Sequence, residues 1–421
     1  MLFILLAFCF RAGAADFQEQ DTVISYVVCD AGSDIYELEG HAALRVRMPG
    51  TDVAVNYGLF DFDAPGFVWR FALGQTDYLC GAAPWDWFVD TYRRDGRRVT
   101  EHRLDLTPAE KAAIVGYLGW NLAPENRVYR YNYVKDNCAT RPLAVVERAL
   151  PDSLVLPDPM PEARTFRDVM RHYHRTTPWY QFGIDLALGS GIDYPITARE
   201  KAFAPVLLDA QLREARTASG RRIVGESVVV APAALGAAVP GPTPWWATPM
   251  AVALAVLAAA VVVTVRDQRR RAVARWFDAL LYGALGLAGC LVFFLVFFST
   301  HEATSPNFLL AWVNPFCLIP VIFIWIKKAQ RLVMCYQIAN FAAILMLCAA
   351  WPLLPQSANP AFWPLIAADA LRSINYLTVN RKRCNDPRAP RAFCSRLSPP
   401  QWPRWPSWQA RPCARNSLWA L

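Results

Sequence analysis

Histidine is scarce in this chain, with five among 421 residues. Four of them, His41, His102, His172 and His174, precede the apolar half, and none stands with a cysteine or carboxylate set at metal-ligand spacing. His172 and His174, in RHYHR, are two residues apart and would fall on different faces of a helix. His102, among the charges of RRVTEHRLD, reads as a solvated side chain. No metal and no cofactor is therefore expected. Internal repeats are missing too. So is net charge over most of the chain: residues 381–421 hold nine Lys or Arg against one acid, Asp386, which accounts for the whole formal charge of +8. A nucleic-acid footprint needs a basic face on the folded part, so nucleic acid is not an expected partner.

What is abundant is apolar sequence, 54% of residues, which is high for a purely soluble protein. Four runs after residue 246 are long enough to cross a hydrocarbon core: ATPMAVALAVLAAAVVVTV, FDALLYGALGLAGCLVFFLVFF, FLLAWVNPFCLIPVIFIWI and VMCYQIANFAAILMLCAAWPLL. A fifth, AFWPLIAADALRSINYLTV, carries Asp369 and Arg372; it either spans with both groups facing other helices or lies in the interface. Basic residues gather in the first and third loops (Arg266, Arg269, Arg270, Arg271, Arg275; Lys327, Lys328, Arg331), whereas STHEATSPN and PQSANP have none. The positive-inside rule puts the basic loops in the cytoplasm and everything before residue 246 outside. The opening run LFILLAFCF followed by AGAAD reads as a secretory signal and agrees with that topology, although no Lys or Arg precedes it. The expected organisation is a signal peptide at 1–15, a periplasmic domain at 16–230 and a Pro/Gly linker at 231–246. A transmembrane bundle of four to five helices at 247–379 and a basic, disordered tail at 380–421 complete it.

The exported region mixes strand-like runs (ISYVVC, HAALRVRM, DVAVNYGLF, RVYRYNYV) with helical ones, so an α+β domain is expected. TPAEKAAIVGYLGW has Thr107 as N-cap, Pro108 at the first position and Glu110 closing a capping box. A second helix should include RPLAVVERAL, and Cys138 stands at or just before its first turn, where the helix dipole would favour a thiolate. Pro142 limits how early that helix begins. Outside the membrane the mature chain has three cysteines, Cys29, Cys80 and Cys138, and an odd count leaves one thiol free; a Cys29–Cys80 disulfide would leave Cys138 reduced. On composition alone Cys138 is more often a buried structural residue than a nucleophile, and Asp136 and Asn137 are ordinary caps. His41, opening HAALRVRM after Gly40, is placed to project from the sheet's end toward a helix terminus.

Three separated stretches, DIYELEGHAALRV, VNYGLFDFDAPGFVWRFALGQTDY and PENRVYRYNYVKDNCATR, resemble the periplasmic domain of the Lnb-type lipoprotein N-acyltransferase family. The resemblance covers most of residues 22–210, including PWYQFGIDLALGSGIDYP, and STHEATSPNFLLAWVNP resembles that family's five-helix transmembrane region. The order of His before an Asn-Cys pair at a helix start also resembles the permuted papain-like arrangement of lecithin retinol acyltransferases and NlpC-type proteins. The resemblance implies Cys138 as nucleophile and His41 as base, with a third group orienting the imidazole: Asn56 first, Asp34 and Glu39 as alternatives. Arg141 would hold a phosphate or carboxylate, or else a structural ion pair, and His301 and Asn307 in the outer loop would meet lipid headgroups. The implied activity is thiol acyl transfer at the inner membrane, from a phospholipid through a Cys138 thioester to an amine such as a lipoprotein N-terminus, with helix-start N–H groups stabilising the oxyanion. A Cys-His amidase acting on cell-wall peptides and a non-enzymatic envelope scaffold are the alternatives, and no oligomeric state is set.

Overall fold

Runs rich in Val, Ile and Tyr build the first half of the protein. The computed structural model describes residues 21–61, 63–234 and 241–384. The expected signal peptide, residues 235–240 of the linker and residues 385–421 of the tail lie outside the described residues. The strands are β1 (Val23–Cys29), β2 (His41–Met48), β3 (Thr51–Leu59), β4 (Asp77–Pro84), β5 (Val99–Leu104), β6 (Val128–Arg130), the two-residue pair β7 (Leu154–Val155) and β8 (Arg216–Thr217), and β9 (Val224–Ala231). Seven of them form one antiparallel sheet in the order β6-β4-β3-β2-β1-β5-β9, while β7 pairs with β8 alone.

Alternation along the central strands divides the interior into two cores. Ile24, Tyr26, Val28, Leu44 and Val46 face one, with Ile114, Leu143 and Leu208 of the helices that cover it. Val27, Cys29, Ala43 and Ala54 face the other, with Trp85 and Phe88. The helices of this half are α1 (Phe67–Ala72), α2 (Trp85–Arg94), α3 (Pro108–Leu122), α4 (Thr140–Ala149), α5 (Phe166–Tyr173), α6 (Pro178–Ala187), α7 (Ala198–Lys201) and α8 (Pro205–Leu212). α3 starts as its sequence demands: Thr107 caps it, Pro108 is first, and Glu110 closes the capping box. RVYRYNYV is shorter as a strand than its tyrosines suggest. β6 stops at Arg130 because Asn132 and Asp136 exchange backbone hydrogen bonds of 3.0 Å and Asn132 Oδ1 accepts from the N–H groups of Val134 and Lys135, folding the segment into a tight loop.

The second half is helical: α9 (Pro249–Arg270), α10 (Arg275–Phe297), α11 (Leu318–Phe323), α12 (Gln330–Ala350) and α13 (Phe362–Cys384). Among the described residues, Pro249–Arg270, Arg275–Phe297 and Lys327–Leu353 are long and apolar enough to cross a membrane, and Phe308–Phe323 is a shorter apolar segment. α13 packs along α9 and carries Asp369 and Arg372 inward, both fully buried. The Arg372 guanidinium meets Asp267 at 2.7 Å and Asp278 at 2.6 Å, which offsets the cost of placing a charge among apolar helices.

Candidate functional site

Cys138 sits where a loop from the sheet's edge enters α4. The helix begins at Thr140 with Ala139 as N-cap, so Pro142 is the third helical residue, in the first turn where its missing N–H costs nothing, and Cys138 stands just outside the regular helix. Asn137 builds this entry. Its Oδ1 accepts from the N–H groups of Ala139 and Thr140 at 2.9 Å each, and its Nδ2 donates to the carbonyls of Tyr133 and Phe203 at 2.8 Å. The expectation that helix-start N–H groups await an oxyanion is thereby corrected for those two, because Asn137 already occupies them. The half-buried Cys138 thiol instead lies against the backbone N–H of Ala42 and the Tyr131 hydroxyl.

Ala42 is the residue after His41, so the thiol lies beside the start of β2. There the His41 Nε2 is 3.1 Å from Asn56 Oδ1, and Asn56 Nδ2 donates to Ala54 O, which fixes the amide's orientation. Nε2 therefore carries the imidazole proton and Nδ1 keeps its lone pair. Tyr92 stacks on the ring at 6.1 Å between centroids and 14° between planes. Of the three candidates for orienting His41, Asn56 alone is seen to meet it: Asp34 is exposed and accepts from Tyr36, while buried Glu39 accepts from Tyr133 at 2.8 Å and faces His174 Nε2 at 3.5 Å. Burial pushes the Cys138 thiol up to about 11, against the Ala42 N–H and the Tyr131 hydroxyl, which lower it; nearby Glu39 raises it further. Burial lowers His41 to about 4, opposed by the Asn56 hydrogen bond and reinforced by the charge of Arg97. Gly58, on β3 at φ 86°, keeps this corner open, since a Cβ there would press the Tyr131 ring at 3.0 Å.

Two family models match the chain: the Lnb N-terminal periplasmic domain over residues 11–172, and the Lnb transmembrane domain over residues 242–383. The chain belongs to the Lnb-type family. It is a membrane protein with a periplasmic domain. No curated protein and no solved structure matches it. The first Lnb match ends at residue 172, inside α5, yet α8 lies on the sheet and β9 extends it through β5, so the folded unit reaches at least Ala231.

Other residues singled out in this Lnb-type chain have different surroundings. Arg141 is an ion-pair residue: its Nε and Nη2 meet the two Asp136 oxygens at 2.8 Å, and its guanidinium lies 3.8 Å from the Tyr129 ring centre. Asn307 is 5% exposed and its amide is spent on Leu186 O, Leu309 N–H and Gln356, which corrects its reading as a headgroup contact. His301 does sit in the outer loop, donating from Nε2 to Phe71 O at 2.8 Å. His102 is fully buried rather than solvated. Its charged neighbours are turned into cross-strand pairs, while its ring bridges Ser227 Oγ and Asp209 at 2.8 Å each. The Cys29–Cys80 disulfide is excluded: both thiols are free, and β1 and β4 are three strand spacings apart, about 14 Å at the usual interval, against the roughly 7 Å that a disulfide tolerates. Among the described residues no cluster of three His, Cys, Asp or Glu is placed to hold a metal. Tyr131 and the Ala42 N–H escaped sequence reasoning. The tyrosine was hidden in an apparent strand pattern, and a backbone group has no sequence signature.

Proposed function

We propose that this protein is a thiol acyltransferase of the inner membrane, with Cys138 as nucleophile, His41 as base and Asn56 as the residue that positions His41. The observation that carries the reading is the His41–Asn56 contact of 3.1 Å with the Cys138 thiol against the neighbouring Ala42 N–H. It is supported by the Lnb-type domains on both sides of the linker. The arrangement fits a permuted papain-like site, in which β2 supplies the base and the start of α4 the nucleophile. His41 Nδ1 takes the thiol proton as sulfur attacks the carbonyl carbon of a phospholipid ester. The ester C–O bond breaks, the lysophospholipid alkoxide takes the proton from the imidazolium, and a thioester is left on Cys138. A neutral amine, such as a lipoprotein N-terminus, then attacks the thioester; its proton passes to His41 and the thiolate leaves, to be reprotonated. The N–H groups of Cys138 and Ala42, which both face the thiol, would hold the oxyanion. In this reading residues 16–230 face the periplasm, residues 247–379 form a five-helix, multi-pass bundle that includes the polar α13, and both substrates are held in one leaflet.

The test is mass spectrometry of the full-length protein after incubation with phospholipid vesicles. A hydroxylamine-labile fatty acyl group is expected on Cys138, absent from Cys138→Ala and His41→Ala. Asn56→Ala should lower its rate about tenfold to a hundredfold, chiefly in kcat. Cleavage of cell-wall peptides without any lipid adduct would replace this reading with an amidase.

A further inference from the structure

The short helix α1, FVWRFA, buries none of its residues, and Val68, Trp69 and Phe71 are 77%, 60% and 48% exposed. Three neighbouring apolar side chains facing outward are unusual on a surface that meets only water. What fixes their level is the membrane half of the same chain. Trp69 packs on Phe294 at 5.3 Å between ring centres, and Phe294 lies three residues before the end of α10, about 4.5 Å along that helix at its usual rise. Thr300 donates to Leu73 O from its N–H and its hydroxyl at 2.9 and 3.0 Å, and His301 donates to Phe71 O. α1 is thus tied to the outer end of a helix long and apolar enough to span a bilayer, at the depth where aromatic side chains favour the interface.

From α1 a run of rings leads inward. Phe67, the first residue of α1, stacks on Phe60 at 5.5 Å; Phe60 stacks on Tyr78 at 4.7 Å; Tyr78 meets Tyr131 at 4.8 Å. The Tyr131 hydroxyl is at the Cys138 thiol. We propose that α1 lies in the outer leaflet and that the partly exposed rings of Phe67, Phe60 and Tyr131, backed by the buried Tyr78, form the surface along which the acyl chain of a phospholipid passes from the bilayer to Cys138. The occupant is lipid because the exposed face is apolar and continuous with Phe294, Phe297 and Phe298 at the outer end of α10. This inference rests on the acyl-transfer reading for its purpose, although not for its geometry. His301 and Thr300 act here as positioning residues that hold α1 at depth.

The experiment uses the full-length protein in vesicles of phosphatidylethanolamine and phosphatidylglycerol doped with a phospholipid carrying a diazirine in one acyl chain. After irradiation, adducts are expected on peptides containing residues 60–78 and Tyr131, in the wild type and in Cys138→Ala alike. Adducts confined to α9, α10 and α12 overturn the proposal. The double variant Val68→Asp, Trp69→Asp should lose the adducts and form lipid-derived thioester on Cys138 about tenfold more slowly, with labelling of Cys138 by a small water-soluble maleimide unchanged. An unchanged thioester rate would overturn it as well. If no variant forms a thioester, the acyl-transfer reading fails by itself, and the crosslinks in Cys138→Ala still decide whether the ring surface holds lipid.

Discussion

Burial holds the Cys138 thiol up at about 11 and the His41 imidazole down at about 4, so at neutral pH both rest uncharged, as thiol and free base rather than as thiolate and imidazolium. In the proposed reaction the proton would then move during attack, and substrate binding would not depend on a standing charge. Labelling of Cys138 by iodoacetamide in the full-length protein is accordingly expected to keep rising with each pH unit through 9; a plateau between pH 5 and 8 would mean an ion pair and sink this account. His41 is harder to protonate folded than unfolded, so its contribution is complete above the ordinary imidazole pKa of about 6.5 and is lost as pH falls toward 4. The residues of this corner were legible in sequence to different degrees. Cys138 and His41 announce themselves by type and by position at element ends, and Asn56 by lying on the strand paired with β2. Arg141 shows a cation, but only the fold shows that Asp136 and Tyr129 already engage it.

At the scale of elements, Asn137 decides where α4 begins. One side chain, 2% exposed, joins the start of the helix to the loop carbonyl of Tyr133 and to Phe203 ahead of α8, and it leaves Cys138 with no helical hydrogen bond to break. Removing it would orphan several buried donors and acceptors, so Asn137→Ala should destabilise the periplasmic half by about 3 kcal/mol, read as a lowered thermal midpoint in detergent. An unchanged midpoint would show that water replaces the amide. The capping box of α3 was readable because its partners are three residues apart. The cap of α4 was only half readable: Asn137 is visible as a cap, but its bond to Phe203 spans 66 residues and depends on how α8 docks on the sheet. The apolar helices α9, α10 and α12 were readable for the opposite reason, since length and composition alone set them, whereas the third expected run breaks around Asn314 and Pro315 and leaves only the short α11.

On the scale of the whole molecule, the two halves share a polar seam. Asp185 of α6 accepts from Arg167 at 3.0 Å and Arg171 at 3.1 Å and from Asn359 Nδ2 at 2.9 Å, while Arg171 also reaches Ser357 Oγ and Ala358 O. Asp185→Ala would remove one of the two carboxylates that meet the fully buried Arg167 guanidinium, which keeps Asp193 at 2.7 Å, and would strip Arg171 and Asn359 of an acceptor, a loss of about 1–3 kcal/mol. Faster proteolysis of the intact protein at residues 231–246 is expected, and unaltered cleavage would show that the seam does not depend on this carboxylate. The contacts to Ser357, Ala358 and Asn359 were not legible beforehand, because their partners lie more than 100 residues apart and belong to segments that read separately as soluble and membranous. Beside Asp185, Gly189 and Gly191 bring backbone directly onto the backbone of residues 302–306: Gly189 N–H donates to Ala303 O and Ser190 N–H to Pro306 O at 2.8 Å each, and a Cβ at either glycine would clash. Such a seam leaves no room for substitution on one side alone. A hybrid that grafts this periplasmic half onto another bundle should fail unless residues 299–308 travel with it, so for inheritance and for engineering alike the chain is one part rather than an enzyme on an interchangeable anchor.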